Sequence, residues 1–511
     1  GEWIRWQFGP KLDDALRAIK THFDPLGLFA PGRIVDPPKM DDPSLFRYTP
    51  GYKTIALQPV FDWSAWNVQN DPATETTSAP GSGGDTTGGF AKAVEMCNNN
   101  GHCRKFDAGT MCPSYRVTRD EQHLTRGRAN TLRLALSGQL GDLGDADPLA
   151  RDAVAAALDL CGGCQGCKRD CPTGVDMAKM KLEATARRKA RRGYTLRDRL
   201  IASLPEQARW WRRMPWLPNL RDRIPGAAGL TEKWLGLSAR RSLPRWRADT
   251  FWHVAPTLGL ATRDAVLAAP KAAVLFVDTF NGNFETENAV AAVRVLQAAG
   301  YAVHAAERAG GALCCGRTYL AAGMPERAKA KARELLDALL PFAERGIAIV
   351  GLEPSCLLTM RDEMQVMNLG AVAAVLAGQA LLFEEFVVRE ARAGRFAPAF
   401  KPANRPLLVH GHCHQKAFGA MPPVFEALRL IPGADPVAIE SSCCGMAGSF
   451  GYEAEHHEIS MQMAELSLLP AIRRAPQATI VADGTSCRHQ IADGAGREAH
   501  HVAQVLADHL A

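Results

Sequence analysis

Residues 161–172 read Cys161-Gly-Gly-Cys164-Gln-Gly-Cys167-Lys-Arg-Asp-Cys171-Pro172, a four-cysteine run with a closing proline of the kind that wraps a cubane iron–sulfur cluster. Three thiolates on one short loop take three corners of a cluster, while the cysteine before proline turns outward to a second one. Structural zinc sites instead use Cys-x2-Cys pairs separated by a finger or ribbon, and one compact run of four ending in proline fits that poorly. The chemistry such a loop supports is single-electron transfer.

A two-cluster ferredoxin needs a partner run upstream. The candidate is Cys97-Asn-Asn-Asn-Gly-His-Cys103, followed by Cys112-Pro113. It is incomplete, because Asn100 stands where the middle cysteine belongs. By the cross-ligation rule Cys161, Cys164, Cys167 and Cys112 complete one 4Fe-4S site, and Cys97, Cys103 and Cys171 remain for the other. Three thiolates imply either a 3Fe-4S cluster or a four-iron cluster finished by Asn100, His102 or water. The alternative is a single cluster with Cys97 and Cys103 as bystanders.

Beyond residue 272 the chain repeats itself. A strand (273–277), a helix (286–299), a strand (301–305), Cys314-Cys315-Gly316, a helix (325–345), a strand (347–352) and Cys356 form the first copy. A strand (407–410), Cys413, a strand (437–439), Cys443-Cys444-Gly445, a helix (456–474), a strand (479–482) and Cys487 form the second. Such repetition implies two homologous α/β units. Strands alternating with helices make a parallel sheet, and parallel sheets bind ligands beyond the carboxyl ends of their strands, where Cys356, Cys413 and Cys487 fall. Adjacent cysteines bridge only with strain, whereas neighbouring thiolates can both face a metal cluster. The glycine after them is read as letting the backbone approach bulky sulfide. The second copy has the full set, Cys413, Cys443, Cys444 and Cys487, flanked by His412 and His414. The first has Cys314, Cys315 and Cys356, with Asp278 aligned to Cys413. A buried thiol pair or a redox-active dithiol is the alternative for either.

These sites need elements to hold them. The 511 residues, 47% hydrophobic and 22% charged, have ordinary globular composition with room for about three domains. Fourteen cysteines in clustered patterns suit metal ligation in a reducing compartment more than a disulfide framework. The expected location is therefore cytoplasmic, or peripheral at the inner membrane face. No apolar run approaches a spanning length. Residues 187–250 carry 17 Lys or Arg against 5 Asp or Glu, so 12 of the charge surplus sits there and the remainder is negative. Trp210, Trp211, Trp216, Trp234 and Trp246 are interleaved with these arginines. The favoured reading is a helical connector with its tryptophans in domain seams; the alternative is contact with an anionic membrane through 196–250. No recognised nucleic-acid module accompanies the charge. Residues 70–89, rich in Gly, Ser, Thr and Pro, read as a flexible linker. Helices are predicted over 12–20, 126–138 and 176–192.

The repeat resembles the cysteine-rich CCG domain of heterodisulfide reductases and of the iron–sulfur subunits of glycolate and anaerobic glycerol-3-phosphate dehydrogenases. Taken with Glu95–Ala129, which contains the Cys97, Cys103 and Cys112 segment, and the run at Cys161, the chain resembles the C-terminal half of bacterial fused FAD and iron–sulfur D-2-hydroxyacid dehydrogenases. Those are of the D-2-hydroxyglutarate or D-lactate dehydrogenase type. The stretch His22-Phe-Asp-Pro-Leu-Gly-Leu-Phe-Ala-Pro-Gly-Arg-Ile34 resembles the end of an FAD-linked oxidase domain. The resemblance implies a mixed α and α/β architecture: an oxidase-domain remnant (1–60), a linker (61–89), a helical 4Fe-4S ferredoxin-type domain (90–195), a basic Trp-rich connector (196–265) and two CCG domains (266–395 and 396–511). It also implies an upstream flavin domain carrying FAD, an acceptor that is a quinone or an electron-transfer protein, and no substrate oxidation by this piece alone. Catalytic residues are not assignable. Arg126 and Arg128 are read either as stabilising a reduced cluster or as surface ion pairs. Competing readings are a separate electron-transfer subunit, a thiol–disulfide reductase and a zinc-stabilised scaffold.

Overall fold

The computed structural model of the chain describes residues 1–42, 44, 54–66, 86–106, 109–140, 147–308 and 311–511. Residues 70–85 of the expected linker lie outside them. Where the linker reading begins, however, the chain is packed: Phe61 and Trp63 are buried. The Glu183 carboxylate accepts from Val60 N, Phe61 N and Trp63 Nε1 at 2.8, 3.1 and 3.2 Å. Burial pushes this carboxyl up against the lowering action of its backbone and indole donors, and the three bonds fasten residues 60–63 to the helix Met177–Arg192.

The carboxyl-terminal region contains two four-stranded parallel sheets. The first is built from β1 (Ala272–Phe276), β2 (Ala302–Ala305), β3 (Ala348–Gly351) and β4 (Ala380–Leu382) in the order β2-β1-β3-β4. The second uses β5 (Leu407–Val409), β6 (Pro436–Ala438), β7 (Thr479–Val481) and β8 (Ala499–His500) in the matching order β6-β5-β7-β8. The run Ala273-Val-Leu-Phe-Val277 is wholly buried, as a parallel strand covered on both faces must be. The helix after β1 (Thr286–Ala298) packs on the helix after β8 (Val502–Asp508), and the helix after β5 (Met421–Leu428) packs on the helix after β4 (Phe383–Arg392). The two halves thus share one apolar core about a pseudo-twofold relation.

The predicted helix over 456–474 is two helices, His457–Glu465 and Leu468–Arg474. Pro470 causes the break, since its ring clashes with the carbonyl four residues earlier and it has no N–H to donate. The strands β4 and β8 are additional to those expected from sequence; each is two or three residues long.

The connector bridges Leu237 to Glu453 and pairs Arg197 with Glu455 at 2.6 Å, so it wraps the second half. Its tryptophans divide. Trp211 and Trp246 meet in a seam with Phe284. Trp210, Trp216 and Trp234 are 55–75% exposed, which corrects the expectation that all sit in seams. Among the described residues no helix is long and apolar enough to cross a membrane.

Candidate metal centres

Cys112, Cys161, Cys164 and Cys167 line one hollow, together with Thr125, Arg128, Gln165 and Met177. Cys112 and Gln165 hold left-handed backbone at φ 52° and 58°, turning the chain around the cavity; strained backbone of this kind gathers at functional sites. Among the described residues, no three of these sulfurs lie within 4.8 Å of one another. Tetrahedral zinc with bonds of about 2.3 Å needs its sulfurs roughly 3.8 Å apart. As placed, the described sulfurs are spread more widely than the ligands of a single zinc ion.

Of the four thiols around the hollow, only Cys161 is held toward thiolate. Burial pushes the Cys112, Cys164 and Cys167 thiols up. At Cys161 burial acts the same way but is outweighed by Arg128 and Lys181, and its thiol is held below the ordinary value. Arg128 is buried, donating from Nε to Ala157 O at 3.0 Å and from Nη2 to Ser114 Oγ at 2.9 Å. Arg126 pairs with Glu121 at 2.7 Å, and its backbone N–H and its charge both act to lower the Cys103 thiol. Arg128 thus faces the Cys161 hollow, while Arg126 combines an ion pair with a place beside Cys103.

Cys97 and Cys103 are buried near one another, and Cys103 is pushed up to about 11 by burial. Cys171 stands at the end of the helix Gly166–Asp170, its Sγ 3.3 Å from Thr173 Oγ1. Asn100, exposed, spends its amide within the loop, donating to Asn98 Oδ1 and accepting from His102 N.

In the second half the thiols of Cys413 and Cys443, of Cys443 and Cys444, and of Cys444 and Cys487 touch in series. All four are raised: contact with the next thiol in the series raises Cys413, Cys443 and Cys444 and burial adds to it, while at Cys487 burial and the neighbouring thiols outweigh the lowering contact with Cys444. An array so protonated is a poor nucleophile, and a bound cation is what would ionise it. Lys416 reaches all four electrostatically, and its Nζ donates to Ser441 O. Gly445 adopts φ +88°, and a Cβ there would meet Ser460 O at 2.2 Å. The glycine is thus required by backbone geometry. Its N–H points to Cys443 Sγ at 3.3 Å, as the Gly316 N–H points to Cys314 Sγ at 3.4 Å.

The first half holds Cys314, Cys315 and Cys356 in the same serial contact. Strand register corrects the alignment of its missing member. Ala273 pairs with Ala348 as Leu407 pairs with Thr479; with Cys356 matching Cys487, β1 maps to β5 by 407 − 273 = 134. Asp278 then matches His412, and both cap the helix that follows. Thr279 matches Cys413, and its hydroxyl touches Cys314 as Cys413 touches Cys443. Burial lifts Asp278 to about 6.

The three groups converge. Cys164 feels the charge of Cys413 and, on the same side, Cys443 feels Cys164. Gly163 O lies 3.2 Å from His414 Nε2, and a Cβ on Gly162 would meet Ala447 Cβ at 2.9 Å. On the other side Gln165 Nε2 donates to Asp362 and Glu363 of the first half at 3.0 and 2.9 Å. Arg317 bonds Glu363 at 2.6 Å and reaches His414 Nε2 at 3.2 Å, bridging the halves beside Cys315 and Cys356. Lys416, Arg317 and Lys181 are not singled out by sequence, because charge on a helix gives no sign of which way it faces. His410 has a signal, its place at the carboxyl end of β5.

Residues 93–175 match the family model of the 4Fe-4S dicluster domain, and residues 278–361 and 407–492 each match that of the cysteine-rich domain. The chain is 26% identical over 538 residues to D-2-hydroxyglutarate dehydrogenase of Escherichia coli (strain K12), an alignment covering 98% of this chain and 49% of that protein. To D-2-hydroxyglutarate dehydrogenase of Pantoea ananatis (strain AJ13355) it is 26% identical over 546 residues, covering 98% and 49%. With the E. coli glycolate oxidase iron-sulfur subunit it shares 26% over 434 residues, covering 81% and 93%. The chain spans about half the length of the D-2-hydroxyglutarate dehydrogenases it matches. The chain thus carries one match to the 4Fe-4S dicluster domain and two to the cysteine-rich domain, and is similar along nearly all its length to D-2-hydroxyglutarate dehydrogenases.

Proposed function

We propose that the chain is the electron-relay portion of an FAD-dependent D-2-hydroxyacid dehydrogenase, taking electrons from a flavin domain outside this sequence and passing them to a quinone or an electron-transfer protein. The observation that carries this reading is the electrostatic coupling of Cys164 with Cys413 and Cys443, with Gly163 O 3.2 Å from His414 Nε2. It supports two neighbouring sites between which an electron could pass.

In this reading Cys112, Cys161, Cys164 and Cys167 hold a 4Fe-4S cluster, and Cys413, Cys443, Cys444 and Cys487 hold a second-half centre. Cys97, Cys103 and Cys171 are assigned to a further site, 3Fe-4S or four-iron, and Cys314, Cys315 and Cys356 to a reduced first-half site. Clusters bound there supply one-electron carriage, with potentials tuned by ligands, hydrogen bonds and exposure. The protein's own part is electrostatic. Arg128 and Lys181 favour negative charge at the first site, Lys416 and Arg317 at the second. The amide donors to Cys314 and Cys443 sulfur act in the same direction. Trp6, Phe23, Leu26, Leu28 and Phe29 stand 70–82% exposed near the amino end, an apolar face suited to the flavin domain. The exposed Trp210, Trp216 and Trp234 among arginines suit peripheral contact with an anionic membrane.

The test is anaerobic purification with iron, sulfide and zinc analysis and an electron paramagnetic resonance spectrum after reduction. Iron and sulfide with reduced-cluster signals are expected. Colourless, zinc-bearing protein refutes the relay.

A further inference from the structure

The second-half thiols have a nitrogen neighbour that the four-cysteine set leaves out. His410 follows β5 directly and is 1% exposed. A ring nitrogen of His410, Cys444 Sγ and Cys487 Sγ all lie within 4.8 Å of one another. This trio is closer than any three sulfurs around the Cys161 hollow, and close enough for one metal ion.

The ring is held for that task. Nδ1 lies 2.8 Å from Ser441 Oγ. That hydroxyl is within reach of Ile439 O as an acceptor for its own proton, at 3.4 Å. In the tautomer that carries Nδ1–H, Ser441 Oγ accepts from Nδ1 and donates to Ile439 O, and the lone pair lies on Nε2; Lys416 Nζ, 3.5 Å from the same oxygen, is a further donor to it. Nε2 is buried and meets no hydrogen-bond partner among the described residues. An orphaned buried polar atom costs about 1–3 kcal/mol, and a metal bond removes that cost. A hydrogen bond that fixes the tautomer of a ligating histidine is the usual supporting contact.

The first half lacks the device. The 134-residue offset places Phe276 opposite His410, Thr279 opposite Cys413 and Gly282 opposite Lys416. Imidazole, one thiol and the neighbouring cation are absent together, so the donor set belongs to the second half alone.

We propose that His410, through Nε2, ligates the metal ion shared by Cys444 and Cys487, so that the second-half centre is held by four thiolates and one imidazole. This rests on the reading of the second half as a metal centre. A neutral imidazole in place of a thiolate raises the potential of an iron–sulfur centre. With imidazole at position 410 this centre therefore sits at a higher potential than it would with a thiolate there.

The test uses the whole chain, reconstituted anaerobically with iron and sulfide and labelled with nitrogen-15 histidine. Pulsed electron paramagnetic resonance on the second-half centre is expected to show a directly bonded nitrogen. Both His410→Phe and His410→Cys should abolish it, and His410→Cys should keep the iron and lower the potential of that centre. Coupling that is absent from the loaded wild type, or unchanged in either variant, overturns the assignment while leaving the relay intact. Iron and sulfide contents unmoved by Cys444→Ser with Cys487→Ser overturn the second-half centre itself, and His410 ligation with it.

Discussion

Replacing Arg128 by glutamine should lower the reduction potential of the Cys112, Cys161, Cys164, Cys167 site. The guanidinium is 3% exposed, lines the hollow and acts on both Cys112 and Cys161. A unit charge roughly 7 Å from the site centre, at an effective dielectric constant of about 20, contributes about 2 kcal/mol. Reduction adds one negative charge, which the cation stabilises. Its loss therefore shifts a one-electron couple downward by about 100 mV, at about 59 mV per tenfold change. Glutamine retains a donor for Ala157 O or Ser114 Oγ, limiting the cost of unpaired buried groups to about 1–3 kcal/mol. The assay is a redox titration followed by electron paramagnetic resonance, with iron content measured beside it. An unchanged or raised potential at equal iron content refutes the argument that Arg128 tunes this site.

Gly445→Ala should cost at least about 3 kcal/mol, combining left-handed strain with a clash against a backbone oxygen, whereas Gly433→Ala, with φ +73° and open space around it, should cost about 1–2 kcal/mol; equal losses in denaturant titrations would contradict this. Arg317→Met strands the buried Glu363 carboxylate between the halves, and thermal melts should register a loss of about 3–5 kcal/mol. His456 is opposed by burial, but Asp159 at 3.0 Å and Glu453 at 2.9 Å raise it to about 9, tying the cluster domain to the second half. Because the folded value lies above the unfolded one, this contribution is complete below about pH 6.5 and fades as pH rises through about 9. His456→Gln should flatten that alkaline decline, and an undiminished decline would remove His456 as its source.

Much of the relay is legible as spacing. The run at Cys161, the upstream Cys112 and the 129- and 131-residue repeats between cysteines are local or periodic signals, and the paired sheets follow from apolar runs alternating with helices. The helix over 456–474 and the alignment of Asp278 escape sequence reasoning for short-range causes. Pro470 breaks a pattern that periodicity alone carries through, and a one-residue shift in a loop is invisible until strand register is known. The connector tryptophans show a different limit, since composition cannot say which of five similar side chains finds a seam.

What the sequence determined by itself is the kind of chemistry: cysteine spacing selects the metal core because a short loop can reach only so many corners. What only tertiary structure decided is the arrangement of sites. The coupling of Cys164 with Cys413 and Cys443, the burial of Arg128 beside Cys112 and Cys161, and the orphaned nitrogen of His410 beside Cys444 and Cys487 all join residues far apart in the chain. Contacts of that kind depend on how two sheets and a helical module pack about a shared core, and packing is settled by shape and burial over the whole molecule, not by any one motif.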